Sequence, residues 1–233
     1  MSNDLVNADF SQRVVLATDA LPWLASPQAG VQRRMLDRIG GEVARATSLV
    51  RYAPDSVFPT HAHGLGEEFL VLDGTFSDEH GDYPAGTYVR NPPGSRHAPR
   101  TEAGCTILVK LRQMPTAEQR RVVIDTRASD WPRGEADGHA RLVLHAAGEG
   151  GALGEVVTIE RLEPGVRLAA SDCPGGEEIF ILSGDLADER GGYGGHTWIR
   201  NPAGLRRSLT SQGGAVYWAK RGHLSAMHLP APP

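Results

Sequence analysis

Short apolar runs separated by turn-forming residues recur along the whole chain. The runs are rich in β-branched, aromatic and aliphatic residues and are bounded by Gly, Pro, Asn or Asp; examples are TSLVRYAP, EEFLVLDG, TYVRNP and CTILVKL. The segments between them, such as DEHGDYPAG and DERGGYGG, have the composition of hairpin connections. Helix signals are nearly absent. The pattern predicts an all-β protein of many short strands, arranged as a sandwich or a small barrel.

The strand pattern occurs twice along the chain. Residues 67–110 align with residues 177–220 at a constant offset of 110, without a gap and with 16 of 44 positions identical. The matches pair EEFLVLDG with EEIFILSG and TYVRNPPGSR with TWIRNPAGLR. An internal repeat of this length predicts two copies of one domain. We place the first copy at residues 1–112, a linker at 113–130 and the second copy at 131–233.

Composition and charge narrow the class of partner. Hydrophobic residues make up 40% of the chain and charged residues 22%, which is ordinary for a globular protein. The formal net charge is -4, and the sequence has no extended basic run of the kind that binds nucleic acids or anionic membranes. We therefore expect no nucleic-acid partner.

Neither a membrane span nor a secretory leader is expected. No apolar run approaches the roughly 18 residues that a span requires. The amino-terminal MSNDLVNADF is polar and acidic, without the basic start and apolar stretch of a signal peptide. We therefore expect a cytoplasmic location. Cys105 and Cys173 are too few for a disulfide framework, so both are expected to be reduced thiols.

Four residues of the first copy have the spacing of a metal site. His61 and His63 are separated by one residue, so they project from the same face of a strand. Gly64-Leu65-Gly66 then turns the chain, and a hairpin would bring the carboxylate of Glu67 beside the two imidazoles. His97 follows much later, after the turn NPPG, and closure of a barrel would return it to the same place.

These four groups form a ligand set that suits zinc, iron(II), manganese or nickel. A single His on a strand is ordinarily a surface or core residue, so the prediction depends on the spacing. A His-x-His pair, a Glu after three further residues and a later Pro-x-Gly-x-x-His form a specific combination. The other histidines have no second ligand at a useful spacing.

The second copy lacks most of this set. At the offset of 110, His61 becomes Ser171, His63 becomes Cys173 and His97 becomes Arg207, while Glu67 is kept as Glu177; these are the equivalent positions. A guanidinium in place of the last His repels a cation and is well suited to pair with the Glu. We therefore predict an ion pair in the second copy, no metal there, and one divalent ion per chain.

The same residues carry a resemblance to a known family. The runs PTHAHGLGEEFLVLDG and GTYVRNPPGSRH resemble the two conserved motifs of the cupin superfamily. More narrowly, the segment from HGLGEEFLVLDG to PPGSRHAP is similar to the cupin-like domain of ChrR, a zinc-dependent anti-sigma factor, and to related cupin dioxygenases. The resemblance covers most of the chain, once per repeat. It implies two tandem double-stranded β-helix (jelly-roll) barrels, a bicupin, with His61, His63, Glu67 and His97 inside the first. One departure is Thr101, where cupins often carry Asn.

The resemblance leaves two functions open. One is a metal-dependent enzyme that acts on a small molecule, dioxygenase-like or isomerase-like, with its catalytic residues unassigned. The other is a zinc-binding, ligand-sensing or regulatory cupin. An anti-sigma factor of the ChrR type carries a helical zinc domain built on closely spaced His and Cys, whereas here the first His is His61 and the first Cys is Cys105. That spacing disfavours an anti-sigma role for this polypeptide, and a purely structural bicupin is a third interpretation.

Strand alternation gives a first list of pocket residues. Phe69, Val71, Tyr88 and Arg96 are predicted to face inward and to surround a small-molecule ligand or substrate. The two copies are expected to pack together as a pseudo-dimer, which leaves a homodimer of the chain open.

Overall fold

The computed structural model describes residues 5–41, 43–147 and 154–224. Within these ranges the regular structure is β, apart from one 3-10 turn at Thr18–Ala20. No helix in the described ranges is long and apolar enough to cross a membrane. The all-β fold class predicted from the strand pattern is confirmed.

The strands are short, as the spacing of turn residues predicts. In chain order they are β1 (Leu5–Val6), β2 (Val14–Ala17), β3 (Leu24–Ala25), β4 (Val31–Ile39), β5 (Arg45–Tyr52), β6 (Ser56–Val57), β7 (His61–Ala62), β8 (Glu67–Asp78), β9 (Gly81–Pro84), β10 (Thr87–Asn91), β11 (Arg96–His97), β12 (Arg100–Thr101), β13 (Cys105–Leu111), β14 (Val122–Asp125), β15 (His139–Ala146), β16 (Val156–Leu162), β17 (Arg167–Cys173), β18 (Glu177–Asp188), β19 (Gly191–Gly194), β20 (Thr197–Asn201), β21 (Leu205–Thr210) and β22 (Ala215–Arg221).

The described residues divide into two compact units. Unit 1 comprises residues 5–8 and 22–128, and unit 2 comprises residues 9–21 and 129–224. In unit 1 the main antiparallel sheet has the order β1-β4-β5-β13-β8-β10-β14, and the corresponding sheet of unit 2 has the order β15-β16-β22-β18-β20-β2. The two orders match strand for strand from β4 to β14 and from β15 to β2, as expected of a duplicated domain.

Strands β2 and β14 each pair with a strand of the unit that is formed mainly by the other repeat. Strand β2 lies antiparallel to β20, with Val14 opposite Arg200, and β14 lies antiparallel to β10, with Val122 opposite Arg90. The sequence analysis assigned Val14 to the first copy and Val122 to a linker. In the structure both are edge strands of a barrel sheet, because the open edge beside the NP turn of each unit takes up an extended, β-branched segment.

A sharp bend in the longest strand of each unit turns a flat sheet into a barrel. Strand β8 pairs with β13 and β10 through its first half and with β9 and β12 through its second half. The bend is at Gly74, which has φ 71°, and a Cβ there would overlap the carbonyl oxygen of Gly104. Gly184 has the same geometry against Gly214 in β18 of unit 2. The two glycines kept by the repeat are therefore required by close backbone approach.

Each unit encloses its own apolar core. In unit 1 the inward-facing residues are Val50, Phe69, Val71, Phe76, Tyr83, Val89, Cys105, Ile107 and Val109. In unit 2 they are Leu162, Leu168, Ile179, Ile181, Leu186, Ile199, Leu209, Ala215, Tyr217 and Ala219. Full burial of one such large side chain stabilises a fold by about 1.5–3 kcal/mol. Cys105 and Cys173 are free and buried, as the prediction of reduced thiols requires.

Candidate metal centre

The structure brings together the four side chains that the sequence spacing selected. His61 lies on β7 directly opposite His97 on β11, and His63 follows after one residue. Glu67 is the first residue of β8. One nitrogen from each imidazole and one oxygen of Glu67 lie within 4.8 Å of one another, so the group could hold a metal ion. It is the one such group among the residues that the structure describes.

The three imidazole rings stand edge to face around a common point. Their centroids are 5.1 Å apart for His61 and His63, 4.9 Å for His61 and His97, and 4.7 Å for His63 and His97. The interplanar angles lie between 72° and 83°. In this arrangement one nitrogen of each ring lies within 4.8 Å of the ligand nitrogens of the other two.

Hydrogen bonds on the far side of two rings fix which nitrogen carries the proton. The Nδ1–H of His97 donates to Asp78 Oδ2 at 3.2 Å, and the Nδ1–H of His61 donates to the carbonyl oxygen of Pro59 at 3.3 Å. A carboxylate and a carbonyl only accept, so Nδ1 must be the protonated nitrogen in both rings. The Nε2 lone pair of each ring is therefore available to a metal.

His63 is oriented in the same way through a serine. Its Nδ1 lies 2.9 Å from Ser95 Oγ, and Ser95 Oγ–H donates to the carbonyl oxygen of Pro92 at 2.6 Å. Because the serine hydrogen is already used, Ser95 accepts from the Nδ1–H of His63. All three imidazoles therefore have the tautomer that a metal bound at Nε2 requires.

Two of the nitrogens that face the centre are buried and have no hydrogen bond. The Nε2 atoms of His63 and His97 have no hydrogen-bond partner among the described residues. Burial lowers the pKa of His63 to about 4, with a smaller contribution from the neighbouring His61. Burial also lowers the pKa of His97, against an opposing effect of Glu67. Both rings are thus neutral near pH 7, the form in which imidazole binds metals.

The spacing of the ligand atoms fits a bound ion. Glu67 Oε2 lies 3.4 Å from His63 Nε2 and 3.5 Å from His97 Nε2. Two ligand atoms that are each about 2.1 Å from a metal lie about 3.4 Å apart at a tetrahedral angle and about 3.0 Å apart at a right angle. These two separations fit a divalent transition metal bound by Glu67 and by the Nε2 atoms of His63 and His97, and one nitrogen of His61 lies within 4.8 Å of these atoms.

A second tier of side chains, formed by Asn91, Asp78 and Tyr83, supports the candidate ligands through hydrogen bonds. Asn91 Nδ2–H donates to Glu67 Oε2 at 3.3 Å. Asp78, which accepts from His97, also accepts the Tyr83 hydroxyl proton at 2.9 Å. Burial and the contact with Asp78 raise the pKa of Tyr83 to about 12, so the phenol keeps this proton. The carboxylate ligand and one imidazole ligand therefore each have a fixed partner.

The site has one open side. His61 is exposed, whereas His63, Glu67 and His97 are buried. The solvent-exposed member of the group is therefore the one on β7. Behind the site, the Phe76 ring lies 5.7 Å from that of His97, which closes the side toward the core.

Two of the four residues that were predicted to face inward do so. Phe69 and Val71 face the interior of unit 1. Tyr88 does not: Val89 is the core residue of its strand, and the Tyr88 hydroxyl donates to Glu68 on the other face of the sheet. Arg96 is exposed, because it alternates with His97 along β11. Alternation was applied in the wrong phase at these two positions.

Unit 2 contains the ion pair predicted at the equivalent positions. Arg207 Nε–H donates to Glu177 Oε1 at 2.8 Å, and Arg207 Nη2 contacts Glu177 Oε2. Asn201 Nδ2–H donates to the same carboxylate at 3.0 Å, as Asn91 does in unit 1. Burial alone would raise the pKa of Glu177, but the guanidinium groups of Arg207 and Arg221 hold it below its ordinary value.

The buried ionic network of unit 2 extends beyond this pair and was not predicted. Arg221 donates to Glu177 Oε2 at 3.1 Å and to Glu160 Oε1 at 2.7 Å. Glu160 also accepts from the Tyr217 hydroxyl at 2.6 Å and lies 3.1 Å from His139 Nε2. The equivalent residues of unit 1 are apolar: Val50 stands for Glu160, Ile107 for Tyr217 and Leu111 for Arg221. These differences between the repeats are visible in the sequence at the offset of 110, so the network could have been predicted from them.

Sequence reasoning also missed the second tier. Asp78, Tyr83 and Asn91 are identical in the two copies, as Asp188, Tyr193 and Asn201. Nothing in a local pattern shows which of them contact a candidate ligand. Only closure of the barrel places them behind Glu67 and His97.

Comparisons with known proteins agree with this geometry. The model of the ChrR cupin-like domain family matches the chain twice, over residues 11–115 and 119–225. A search of curated proteins finds no significant sequence match.

Solved structures share the fold at low identity. A putative dioxygenase from Nostoc punctiforme is 16% identical with a TM-score of 0.74, covering 96% of this chain and 88% of that one. A putative glyoxylate-induced protein from Pseudomonas aeruginosa is 12% identical with a TM-score of 0.73, covering 100% of this chain and 95% of that one. A deletion mutant of oxalate decarboxylase from Bacillus subtilis is 12% identical with a TM-score of 0.60, covering 89% and 76%. At these identities the similarity shows the fold alone.

Proposed function

The chain belongs to the ChrR cupin-like domain family, and from that membership and the geometry of unit 1 we propose that it is a metal-dependent enzyme acting on a small molecule, of the dioxygenase or isomerase kind. One divalent ion, iron(II) or zinc in the first place and manganese or nickel in the second, is held by His61, His63, Glu67 and His97. When bound, the ion supplies a Lewis acid and a template for substrate.

The observation that carries the proposal is the convergence of three oriented imidazole lone pairs on a buried carboxylate. Each Nδ1–H donates to an oxygen acceptor. Two of the Nε2 atoms are buried and have no hydrogen-bond partner. Buried polar atoms without a partner cost about 1–3 kcal/mol each, so their survival indicates a ligand. The exposed side at His61 gives that ligand contact with a substrate.

Residues of this chain set what the site can do apart from the ion. Glu67 lowers the net charge of a bound divalent ion from +2 to +1, and Asn91 holds that carboxylate by its Oε2. Asp78 keeps the proton of His97 on Nδ1, away from the centre. Phe76 and the core behind it exclude water from the closed side. The substrate is therefore proposed to enter at the His61 side.

A second candidate is a zinc-dependent sensor of small ligands. The family model is that of the ChrR cupin-like domain, and the separations of 3.4 and 3.5 Å between Glu67 Oε2 and the two Nε2 atoms match a tetrahedral edge. Four protein ligands in a tetrahedral zinc site leave no position for chemistry, so the bound ion would be structural.

Elemental analysis of the full chain purified without added metal tests both candidates. The enzyme proposal predicts close to one equivalent of metal per chain and, once iron(II) is restored, either oxygen uptake or isomerisation with a member of a small-molecule panel. Tightly bound zinc, with no oxygen uptake and no isomerisation after iron(II) exchange, would favour the sensor. A metal content unchanged by replacing both His61 and His63 with Ala would reject the ligand assignment itself.

A further inference from the structure

An arginine outside both sequence motifs reaches the second tier of unit 1. Arg121 immediately precedes β14, and the register of Val122 opposite Arg90 puts Arg121 beside Asn91. Its Nε–H donates to Asn91 Oδ1 at 3.3 Å, and its Nη2–H donates to the Tyr83 hydroxyl oxygen at 2.7 Å. The guanidinium lies 6.0 Å from the centroid of the Tyr83 ring. One side chain therefore contacts both groups that support the candidate ligands.

These two contacts decide the direction of two further hydrogen bonds. When Asn91 Oδ1 accepts from Arg121, the amide must present its Nδ2–H to Glu67, where an amide of the opposite orientation would place two oxygens in contact. When the Tyr83 oxygen accepts from Arg121, its single proton is left for Asp78, which in turn accepts from His97. Arg121 thus acts on Glu67 through Asn91 and on His97 through Tyr83 and Asp78.

Unit 2 repeats the arrangement with an independent residue. Arg13 precedes β2, and its Nε–H donates to Asn201 Oδ1 at 2.8 Å, while its Nη2–H donates to Tyr193 Oη at 2.9 Å. The same Nη2 also reaches Asp188 Oδ2 at 2.7 Å. Arg13-Val14-Val15 corresponds to Arg121-Val122-Val123 at an offset of 108, two residues less than the offset of the motifs.

The difference between the two arginines lies in one carboxylate oxygen. In unit 2 the oxygen Asp188 Oδ2 binds Arg13, whereas in unit 1 the equivalent Asp78 Oδ2 binds His97. The site with three histidines therefore uses Asp78 to orient a ligand, and Arg121 contacts Asp78 only through Tyr83. This division of contacts is what a residue that positions ligands requires.

We propose that Arg121 is a positioning residue of the metal centre, which fixes the orientation of Glu67 and His97 by directing the hydrogen bonds of Asn91 and Tyr83. The inference rests on the proposed function for its effect on metal binding, but not for its effect on Asn91. Because Arg121 immediately precedes β14 and lies within the second match to the family model, residues 119–225, the candidate site of the first repeat is complete only with that segment in place.

The test uses the full chain and three variants. Arg121→Ala removes both contacts, Arg121→Lys keeps the charge without the planar fork, and Arg13→Ala is the matched control that removes the equivalent contacts in unit 2. Each protein is titrated with Co²⁺, whose visible absorption reports affinity and ligand geometry. In the metal-free proteins, the side-chain amide protons of Asn91 and Asn201 are followed by NMR hydrogen exchange.

The expected result is specific to unit 1. Arg121→Ala should weaken Co²⁺ binding about 10-fold, the lower end of the range for outer partners of metal ligands, and should shift the cobalt absorption bands. Its Asn91 amide protons should exchange faster, while those of Asn201 stay unchanged. Arg121→Lys should behave like Arg121→Ala, since an ammonium group does not supply the two directed donors. Arg13→Ala should change Asn201 alone.

Three outcomes would overturn the proposal: cobalt affinity and Asn91 exchange in Arg121→Ala both equal to those of the original chain, full restoration by Arg121→Lys, or an equal loss of cobalt affinity in Arg13→Ala. If the unaltered chain binds no Co²⁺, the metal function fails separately. In that case the Asn91 exchange in Arg121→Ala and Arg121→Lys still decides whether Arg121 directs this amide.

Discussion

Units 1 and 2 each bury a carboxylate at the start of a long barrel strand, and the groups that contact this carboxylate differ between the units. Glu177 is held by the guanidinium groups of Arg207 and Arg221, so charges of both signs are present side by side. Glu67 is contacted by the amide of Asn91 and by two imidazoles whose burial keeps them neutral. A buried anion needs a cationic partner, which is an arginine in unit 2 and, on our proposal, a metal in unit 1.

The comparison shows that the two units differ around this carboxylate at more positions than the candidate ligands. Besides Arg207, unit 2 has Glu160 and Arg221 where unit 1 has Val50 and Leu111. The two carboxylates and two guanidinium groups of unit 2 form one connected network. The second tier and the arginine that contacts it are kept in both units, as Asn91, Tyr83, Asp78 and Arg121 in unit 1. They are therefore compatible with either set of partners for the carboxylate.

The largest expected effect is on metal binding. Replacing both His61 and His63 with Ala should abolish measurable binding, because only Glu67 and His97 remain. The matched variant of unit 2, with Ser171→Ala and Cys173→Ala, should bind as the unaltered chain does. Calorimetric titration of both proteins checks this. Equal loss in the two variants, or two ions per unaltered chain, would contradict the assignment of one site to unit 1.

Exchange of one residue should convert unit 1 toward unit 2. In His97→Arg, the new guanidinium should pair with Glu67 as Arg207 does with Glu177, and metal binding should be lost while the fold is kept. In unit 2, Arg207→Ala removes one partner of a buried pair and should destabilise the unit by about 3 kcal/mol. Denaturant unfolding measures both. A stable Arg207→Ala protein would mean that Arg221 alone compensates Glu177.

Removal of metal should lower the thermal stability of unit 1 alone. An ion that binds only the native state and is present at 100 times its dissociation constant stabilises that state by about 2.7 kcal/mol. A chelator should therefore shift the melting of unit 1, and the double variant of His61 and His63 should no longer respond. Calorimetry with and without chelator gives the answer, and an unchanged melting profile would mean that the site is empty.

A smaller effect is expected from acid on the metal-free chain. The pKa of His63 is lowered to about 4 by burial, from about 6.5 in the unfolded chain, so below pH 6.5 the unfolded state binds more protons. Unit 1 should lose about 2 kcal/mol of stability between pH 8 and pH 5 from this group. The pKa values of Glu177 and Glu160 are lowered, so their contribution to unit 2 persists until the pH falls below about 4.5.

Hydrogen exchange of the two barrels as a function of pH distinguishes the pH range in which unit 1 loses stability from the range in which unit 2 does. Amides of β8 should lose protection between pH 6.5 and pH 5, and amides of β18 only at lower pH. Simultaneous loss in both strands would contradict the contrast between neutral imidazoles and paired carboxylates. Saturating metal should remove the effect in β8, because ligation keeps the imidazoles deprotonated.

The part of the site that could be predicted is the part with short spacing in sequence. The pair His61 and His63 is fixed by strand alternation, and Glu67 by the turn that follows, so local rules were sufficient. The return of His97 was expected from closure of a barrel, and the ion pair of Arg207 followed from the repeat. Arg121 could not be found in this way, because its role depends on pairing between β14 and β10, and its repeat register differs by two residues from that of the motifs.

The fold was predictable to the same extent. The alternation of β-branched residues and turn residues defined the strands and the two copies, while the partner of each edge strand was not encoded locally. Tyr88 and Arg96 were placed on the wrong face for a related reason. A run such as TYVRN is buried on both faces, so its hydrophobic pattern does not reveal which residues face the core.

The pairing of β2 with β20 has a consequence for synthesis of the chain. Strand β2 (Val14–Ala17) is translated about 180 residues before its partner strand, Thr197–Asn201. At 5–20 residues per second this is a delay of roughly 9–36 s. The sheet of the metal-site barrel, by contrast, has all its strands once Asp125 has been translated. The barrel with the candidate metal site can therefore finish folding first, while β2 remains without its partner strand until β20 has been translated.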